Sequence, residues 1–400
     1  MLISLAIEGI PLVKHGLGLL SAVAKQNGHE TMIINAHQYT DLGPVFQLFR
    51  PELVGISVLS MDYPASVHLA RSIKNYNQGI IICVGGPHPT FVPEDFDQVP
   101  EVDYVFRGEA EITFPRLLNR LQMGTRPEHR IIEGVSVPYL ETLPFVDRSG
   151  YEYGEYQHAV LRGCPAPAVT LLAGRGCCYQ CRFCKPGTDL LFGKKMRRRS
   201  VEHVMAELAT LKFGSLIIHD DNLLEDSKWI EEFLQVWDGR PFCCQGRANI
   251  IVRREKMIAK MAEKGLKGIL IGFESGSQRI LDFFNKGTTV EQNIKAAEIC
   301  HKYGITVQAN IMFGAPTETR EDVDQTIAMM KKLEPCIFSL AVFIPIPGSE
   351  LYHYCRERDL SLIDRNYDYE RSYGRPKIKG VDYEYINKTL EENFGFKFCS

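Results

Sequence analysis

The 400-residue chain contains no window of about 18 uninterrupted apolar residues, so no membrane-spanning helix is expected. Its apolar start, Met1 to Ala24, has no basic segment ahead of it and is interrupted by Pro11, Lys14 and His15. A cleaved secretory leader is therefore not expected either. An excess of positive charge is also missing. Lysine and arginine number 46 against 49 acidic residues, the net charge is −3, and both signs are spread along the chain. That balance excludes the electrostatic footprint of a nucleic-acid binder. The only dense basic run, Lys194, Lys195, Arg197, Arg198 and Arg199, reads as a solvated helix entry. There is no internal repeat and no low-complexity tract. What remains is an ordinary globular composition, 45 % hydrophobic and 24 % charged, in a length that suits two domains. With 12 cysteines and no secretory signal, a reducing cytoplasm is the expected compartment.

Cysteine is where the sequence becomes specific. Gly174 to Cys184 carries Cys177, Cys181 and Cys184 as C-x3-C-x2-C. Cysteines scattered independently would produce this array in about one such chain in a hundred. Three thiolates at this spacing can wrap one face of a cubane [4Fe–4S] cluster, whose four irons need four thiolates for full cysteine ligation. One iron is then left open to a small molecule, and an open iron implies chemistry. The alternatives are a zinc knuckle or a set of unligated core thiols. Zinc usually takes paired C-x2-C ligands, and no second such pair follows. Cys178, inside the array, is not required by it and reads as a small buried filler.

The chain on either side reads as strands alternating with helices. In residues 1–125 strands are expected at Leu2–Ile7, Thr31–Asn35, Leu53–Val58, Ile80–Val84 and Tyr104–Phe106, with helices at Gly16–Asn27, Tyr63–Asn77 and up to Leu121. Near-continuous apolar strands joined by helices specify a parallel sheet covered on both faces. Such a domain binds ligands beyond the carboxyl ends of its strands. The turns at those ends are Ser57–Asp62, Gly85–Thr90 and Arg107–Glu111. Residues 126–165 are rich in proline and polar turns and read as a linker. From 166 to 357 the pattern resumes, with strands expected at Val169–Leu172, Leu216–His219, Phe242–Gln245, Gly268–Gly272, Thr306–Phe313 and Phe338–Ile344. Ser200 is an expected N-cap for the helix that follows the cysteine loop. Residues 358–400 read as a short cap or docking tail.

Cys177, Cys181 and Cys184, with aromatic Phe183 between the last two, resemble the C-x3-C-Φ-C signature of the radical S-adenosylmethionine (SAM) superfamily. The later stations Gly272-Phe273-Glu274-Ser275-Gly276-Ser277, Gly314-Ala315-Pro316-Thr317-Glu318 and Pro345-Ile346-Pro347-Gly348-Ser349 resemble that family's E-S-G-S, G-x-P-x-E-T and P-x-P-G-T in correct order. Upstream, Gly16-Leu17-Gly18, Gly28-His29-Glu30, Gly85-Gly86-Pro87-His88-Pro89 and Arg107-Gly108-Glu109-Ala110-Glu111 resemble the N-terminal domain of the cobalamin (B12)-dependent radical SAM family. The resemblance implies an α/β chain, with a Rossmann-like, doubly wound parallel sheet followed by a partial (β/α)6 TIM-like barrel. It implies three cofactors: a [4Fe–4S] cluster on Cys177, Cys181 and Cys184, SAM, and cobalamin. By the same resemblance SAM would be met by Phe183, Asp220, Arg247, Glu274, Ser275 and Gly314. Cobalamin would be met by Ser57, Gly85, Gly86, His88, Gly108 and Glu109. One departure is visible. The D-x-H-x2-G motif that supplies a cobalt ligand in many cobalamin domains is absent, since Asn35-Ala36-His37 has no glycine three residues later. His37 is therefore read as a loop residue. The implied activity is methyl transfer from methylcobalamin to an unactivated carbon, or less often phosphorus, of a small molecule. A flavodoxin or ferredoxin would donate the electron. A ring-forming or ring-rearranging enzyme with the same cofactors, and a non-catalytic cluster or corrinoid sensor, are the other readings.

Overall fold

The structure is a computed structural model, and it describes residues 1–5, 14–149, 164–363, 369 and 375–396. The expected strand residues Ala6 and Ile7, residues 150–163 of the expected linker, and Cys399 lie outside the described residues. Contacts divide the chain into two units. The first is Met1–Glu155 with Gly187–Arg199; the second is Tyr156–Pro186 with Ser200–Ser400. Among the described residues, no helix is long and apolar enough to cross a membrane.

The first unit is built on six parallel strands: β1 (Leu2–Ser4), β2 (Ile33–Asn35), β3 (Leu53–Ser57), β4 (Ile81–Gly85), β5 (Tyr104–Arg107) and β6 (Ile131–Glu133). Their order across the sheet is β2-β1-β3-β4-β5-β6. The chain therefore reverses direction across the sheet between β1 and β3, where Ser4 pairs with both Asn35 and Ser57. Such a reversal opens a crevice at the strands' carboxyl ends. Alternate side chains feed two separate cores. Ile3, Val54, Ile56, Ile82, Val84 and Val105 enter one; Leu2, Ile33, Leu53, Cys83, Tyr104 and Phe106 enter the other. Fully burying each large apolar side chain stabilises the fold by ~1.5–3 kcal/mol. Helices α1 (His15–Gln26), α2 (Tyr63–Tyr76) and α3 (Thr113–Gln122) supply most of the cover. Strand β6 departs from expectation. Ile131–Glu133 was to fall in a linker, but it pairs with Val105–Arg107 as an edge strand. Its three residues are half-buried or exposed, so no apolar run marked it.

The second unit is a parallel sheet whose strands follow one another in chain order: β7 (Ala168–Leu171), β8 (Ser215–Ile218), β9 (Phe242–Gly246), β10 (Leu266–Glu274), β11 (Thr306–Phe313) and β12 (Ile337–Val342). A parallel sheet that never reverses its order, with a helix after each strand, is an open (β/α)6 barrel. Strand β11 alternates strictly in burial. Val307, Ala309, Ile311 and Phe313 of β11 enter the main core, while Gln308, Asn310 and Met312 are only half-buried. Helix starts are set by caps. Ser200 Oγ accepts from His203 N at 3.1 Å to open α4 (Val201–Ala209). Thr319 and Asp322 form a capping box on α5 (Arg320–Leu333), which ends in Lys331 and Lys332. The C-terminal segment contributes to the core. Helix α6 (Tyr383–Phe394) puts Tyr383, Ile386 and Leu390 into the main core.

Candidate active site

The cysteine loop begins two residues after β7, at a carboxyl end of the barrel. Its course is fixed from several sides. Ala173 N donates to Asp220 Oδ1 at 2.7 Å, which ties the loop's first residue to the end of β8. Cys184 N and Lys185 N both donate to Cys181 O at 2.9 Å and close a turn around the array. Arg182 N donates to Phe284 O at 2.9 Å, and Asn285 Nδ2 to Gln180 O at 2.8 Å. On the other side Arg182 Nε meets Glu350 at 2.7 Å, and Glu350 N returns a bond to Lys185 O at 2.7 Å. Lys185 Nζ reaches Cys177 O at 2.9 Å.

The three thiols differ in setting. Cys181 is buried, Cys177 is half-buried and Cys184 has open surface. Cys184 nonetheless lies deep enough that desolvation, with the charge of Cys181 second, pushes its thiol up to about 12. Such a thiol gives up its proton at neutral pH only to a metal. Among the described residues no three His, Cys, Asp or Glu side chains converge on a position for one metal ion. A multi-iron cluster needs no such convergence, because each thiolate takes a different iron. Three thiols on one short, braced loop fit a cubane held at three corners.

The barrel rim assigns the expected SAM residues unequally. Phe183 packs edge-on against Phe284, with ring centroids 5.3 Å apart. Arg247 lies with its guanidinium 3.5 Å above the Tyr179 ring, donates through Nη1 to Cys181 Sγ at 3.5 Å, and donates through Nη2 to Lys286 O. Its buried Nε has no hydrogen-bond partner among the described residues, which leaves one donor for an anionic ligand group. Glu274 stands in the left-handed region, at φ +65°, and pairs with Lys286 Nζ at 2.7 Å. Three expected contacts are instead committed to the protein. Asp220 is 1 % exposed and braces the loop. Ser275 is wholly buried and shares a hydrogen bond with Thr326 Oγ1 at 3.1 Å. Gly314 donates its N–H to Glu318 Oε2 at 2.6 Å, and its φ of +84° is why glycine stands there. Beside them, burial followed by the charge of Asp220 pushes Asp221 up to about 6.

In the first unit the expected cobalamin residues gather at the carboxyl ends of β3, β4 and β5. Ser57, Gly85, Gly86 and Gly108 leave that edge with little side-chain bulk, as close approach of a flat macrocycle requires. Thr90 links two of the turns: its Oγ1 accepts from Gly108 N at 2.9 Å and donates to Gly86 O at 2.7 Å. His88 and Glu109 do not face that edge as free groups. His88 is wholly buried against Tyr63 and Phe96, with Nδ1 hydrogen-bonded to Ser60 Oγ at 3.3 Å and Nε2 standing 3.1 Å from Asp95 Oδ2. Glu109 receives a two-pronged Arg197 fork at 2.8 and 2.9 Å and accepts from Val137 N at 3.1 Å.

Several participants were not singled out from sequence. Asn222 donates through Nδ2 to Cys177 Sγ at 2.7 Å, and Lys286 faces both Glu274 and the Phe183 ring, 5.7 Å away. Asn222 directly follows the paired acids of the β8 turn, and that adjacency was the available signal. Nothing local marks Lys286, which becomes buried only through contacts with distant segments.

Comparison with known proteins gives matches in both parts of the chain. The radical SAM superfamily model matches residues 171–330, and the B12 binding domain model matches residues 10–118. An uncharacterized methyltransferase of Pyrococcus horikoshii is 29 % identical over 95 % of this chain and 86 % of that protein. An anaerobic magnesium-protoporphyrin IX monomethyl ester cyclase of Rubrivivax gelatinosus is 25 % identical over 76 % of this chain and 58 % of that protein. The fold matches the cobalamin-dependent S-adenosylmethionine radical enzyme OxsB, with a TM-score of 0.75 at 20 % identity, covering 98 % of this chain and 66 % of the other. With both models falling on the two units in order, the chain belongs to the cobalamin-dependent radical SAM enzymes, which use a [4Fe–4S] cluster, SAM and cobalamin.

Proposed function

We propose that this enzyme transfers a methyl group, carried on cobalamin, to an unactivated carbon or to phosphorus of a small molecule. The observation that carries the reading is one chain holding both a braced three-thiol loop at a barrel's carboxyl end and a glycine-lined sheet edge suited to a corrin. When bound, the cluster supplies the electron that splits SAM into methionine and a hydrogen-abstracting deoxyadenosyl radical, and cobalamin supplies the methyl carrier. We assign residues 1–125, with the edge strand Ile131–Glu133, to corrinoid binding, the rest of 126–165 to a linker, 166–357 to the radical core apart from Gly187–Arg199, which groups with the first unit, and 358–400 to a tail.

In this reading Cys177, Cys181 and Cys184 hold the cluster. Phe183 helps to seat the adenine, largely through its backbone. The uncommitted Arg247 Nε meets the SAM carboxylate as a charge-assisted donor. Glu274, oriented by Lys286, accepts from the methionine ammonium or the ribose hydroxyls. Ser57, Gly85, Gly86 and Gly108 form the corrin-facing edge, and the Glu109–Arg197 pair fixes the Gly108 turn. Electrons would come from a flavodoxin- or ferredoxin-like donor in the cytoplasm.

The test starts with anaerobic purification from cobalamin-fed cells, cluster reconstitution, and joint assay of iron, sulfide and corrinoid. About four iron, four sulfide and one corrinoid per chain support the reading. Incubation with methyl-labelled SAM and candidate substrates should then give a product heavier by one CH2, with the label in it. Cluster without corrinoid would end the methyl-carrier mechanism. Similarity to the protoporphyrin ester cyclase favours a second reading, oxidative ring formation. A product lighter by hydrogens, without label, would select it.

A further inference from the structure

Two N–H donors converge on the cluster cysteines from neighbouring strand ends. Asn222, 5 % exposed just after β8, points Nδ2 at Cys177 Sγ, 2.7 Å away. Arg247, 8 % exposed just after β9, points Nη1 at Cys181 Sγ, 3.5 Å away. The Arg247 guanidinium is clamped between the Tyr179 face and the Lys286 carbonyl. Cys184 Sγ accepts no hydrogen bond among the described residues. The donors therefore distinguish two corners of the array from the third.

Reducing a three-thiolate cubane adds an electron to a group that already carries net negative charge. An N–H bonded to a ligand sulfur draws electron density away and favours the reduced state over the oxidised one. A guanidinium in a water-poor recess does the same through its full positive charge, weakly screened. Both effects have the same sign. We propose that Asn222 and Arg247 are positioning residues that act through Cys177 and Cys181 to raise the cluster's reduction potential. This brings it within reach of a biological one-electron donor. The proposal rests on the cysteine assignment above and adds a role for Asn222 that the SAM contacts do not require. For Arg247 it gives Nη1 to the cluster and leaves Nε to the ligand.

The test is an EPR-monitored titration with dithionite and viologen mediators on the full chain, reconstituted anaerobically. Wild type is compared with Asn222→Ala, Asn222→Asp, Arg247→Met and Arg247→Lys at matched iron and sulfide content. Asn222→Ala and Arg247→Met should each lower the reduced-to-oxidised ratio about tenfold at the potential where wild type is half reduced, which is about 59 mV for a one-electron couple. Asn222→Asp, which replaces the donor by an anion of similar volume, should lie more negative than Asn222→Ala. Arg247→Lys keeps the charge and should lie nearer wild type. Midpoints that coincide with wild type in the loaded variants overturn the proposal. So does loss of the cluster from both Asn222→Ala and Arg247→Met with far-UV circular dichroism unchanged, since the residues would then be supports and not tuners. A wild-type chain that shows no cluster signal fails at the cysteine assignment, a result distinct from unmoved midpoints.

Discussion

Two buried carboxylates, Glu318 in the fifth βα turn of the barrel and Asp322 in the first turn of the helix after it, show how environment sets opposite behaviour within four residues. Glu318 accepts from Gly314 N through Oε2, while its buried Oε1 has no partner among the described residues. Burial pushes its carboxyl up to about 8. Asp322 is buried as well, which alone would raise it, but hydrogen bonds from Arg279, Ser277 and Thr319 prevail and hold it at about 2. The signs are opposite. Glu318 has a raised folded pKa, so the unfolded chain ionises first. Stability is then full below about 4.5 and falls as pH rises towards 8. Glu318→Gln, read by thermal melts, should be near neutral at pH 4 and stabilising by up to about 4–5 kcal/mol above pH 8. Asp322 has a depressed folded pKa, so its contribution is present above about 3.8 and is lost as pH falls through 2. Asp322→Asn should cost about 1–2 kcal/mol at neutral pH, a figure reduced for the half-exposed Arg279, and that deficit should vanish near pH 2. At this scale the sequence was readable for identity and not for direction. It named Arg247 and Glu274. It could not show that the arginine would divide its fork between a sulfur and a carbonyl, or that Lys286 would claim one oxygen of the glutamate. Those outcomes depend on segments tens of residues away.

Elements were legible in proportion to their apolar content. Strand β11 spans Thr306–Phe313 as its pattern indicates, because every second residue is buried and the run is long. The other barrel strands differ from expectation only at their ends. Strand β6 was not legible, because an edge of three residues needs no apolar run. The tail helix α6 was not legible either, because its residues gain an apolar partner only when the barrel exists. Tyr383 shows how firmly that helix is attached. Its hydroxyl accepts from both Lys377 N and Ile378 N at 3.1 Å, and burial pushes it up to about 12. Its ring lies so close to Gly314 that a Cβ there would stand 3.0 Å from it. Tyr383→Phe leaves two backbone donors unmet and should cost about 2 kcal/mol in chemical denaturation. The cost should appear in unfolding of the second unit, and reconstituted cluster content should not change.

At the scale of the whole molecule, cofactor loading should separate along the two units. The Arg197 fork on Glu109 belongs wholly to the first, and the cysteine loop belongs wholly to the second. Arg197→Ala leaves the buried Glu109 carboxylate without its cation, which is costly for a paired buried charge. The variant should retain several-fold less corrinoid through desalting, with iron and sulfide unchanged. Cys181→Ala should do the reverse: iron should fall from about four per chain to near background while corrinoid stays bound. A variant of either kind that loses both cofactors would show that the units depend on each other to load.

The bond from Arg182 to Glu350 joins residues 168 positions apart. A ribosome adding about 5–20 residues per second exposes the three thiols tens of seconds at most before it delivers the acid that closes their loop. Within that interval the braces at Asp220, Phe284 and Asn285 are already in place on the chain, and the Glu350 closure alone is outstanding. Among the braces described above, the Glu350 contact is the last to be synthesised, so the loop's final closure waits on the helix that follows the sixth barrel strand.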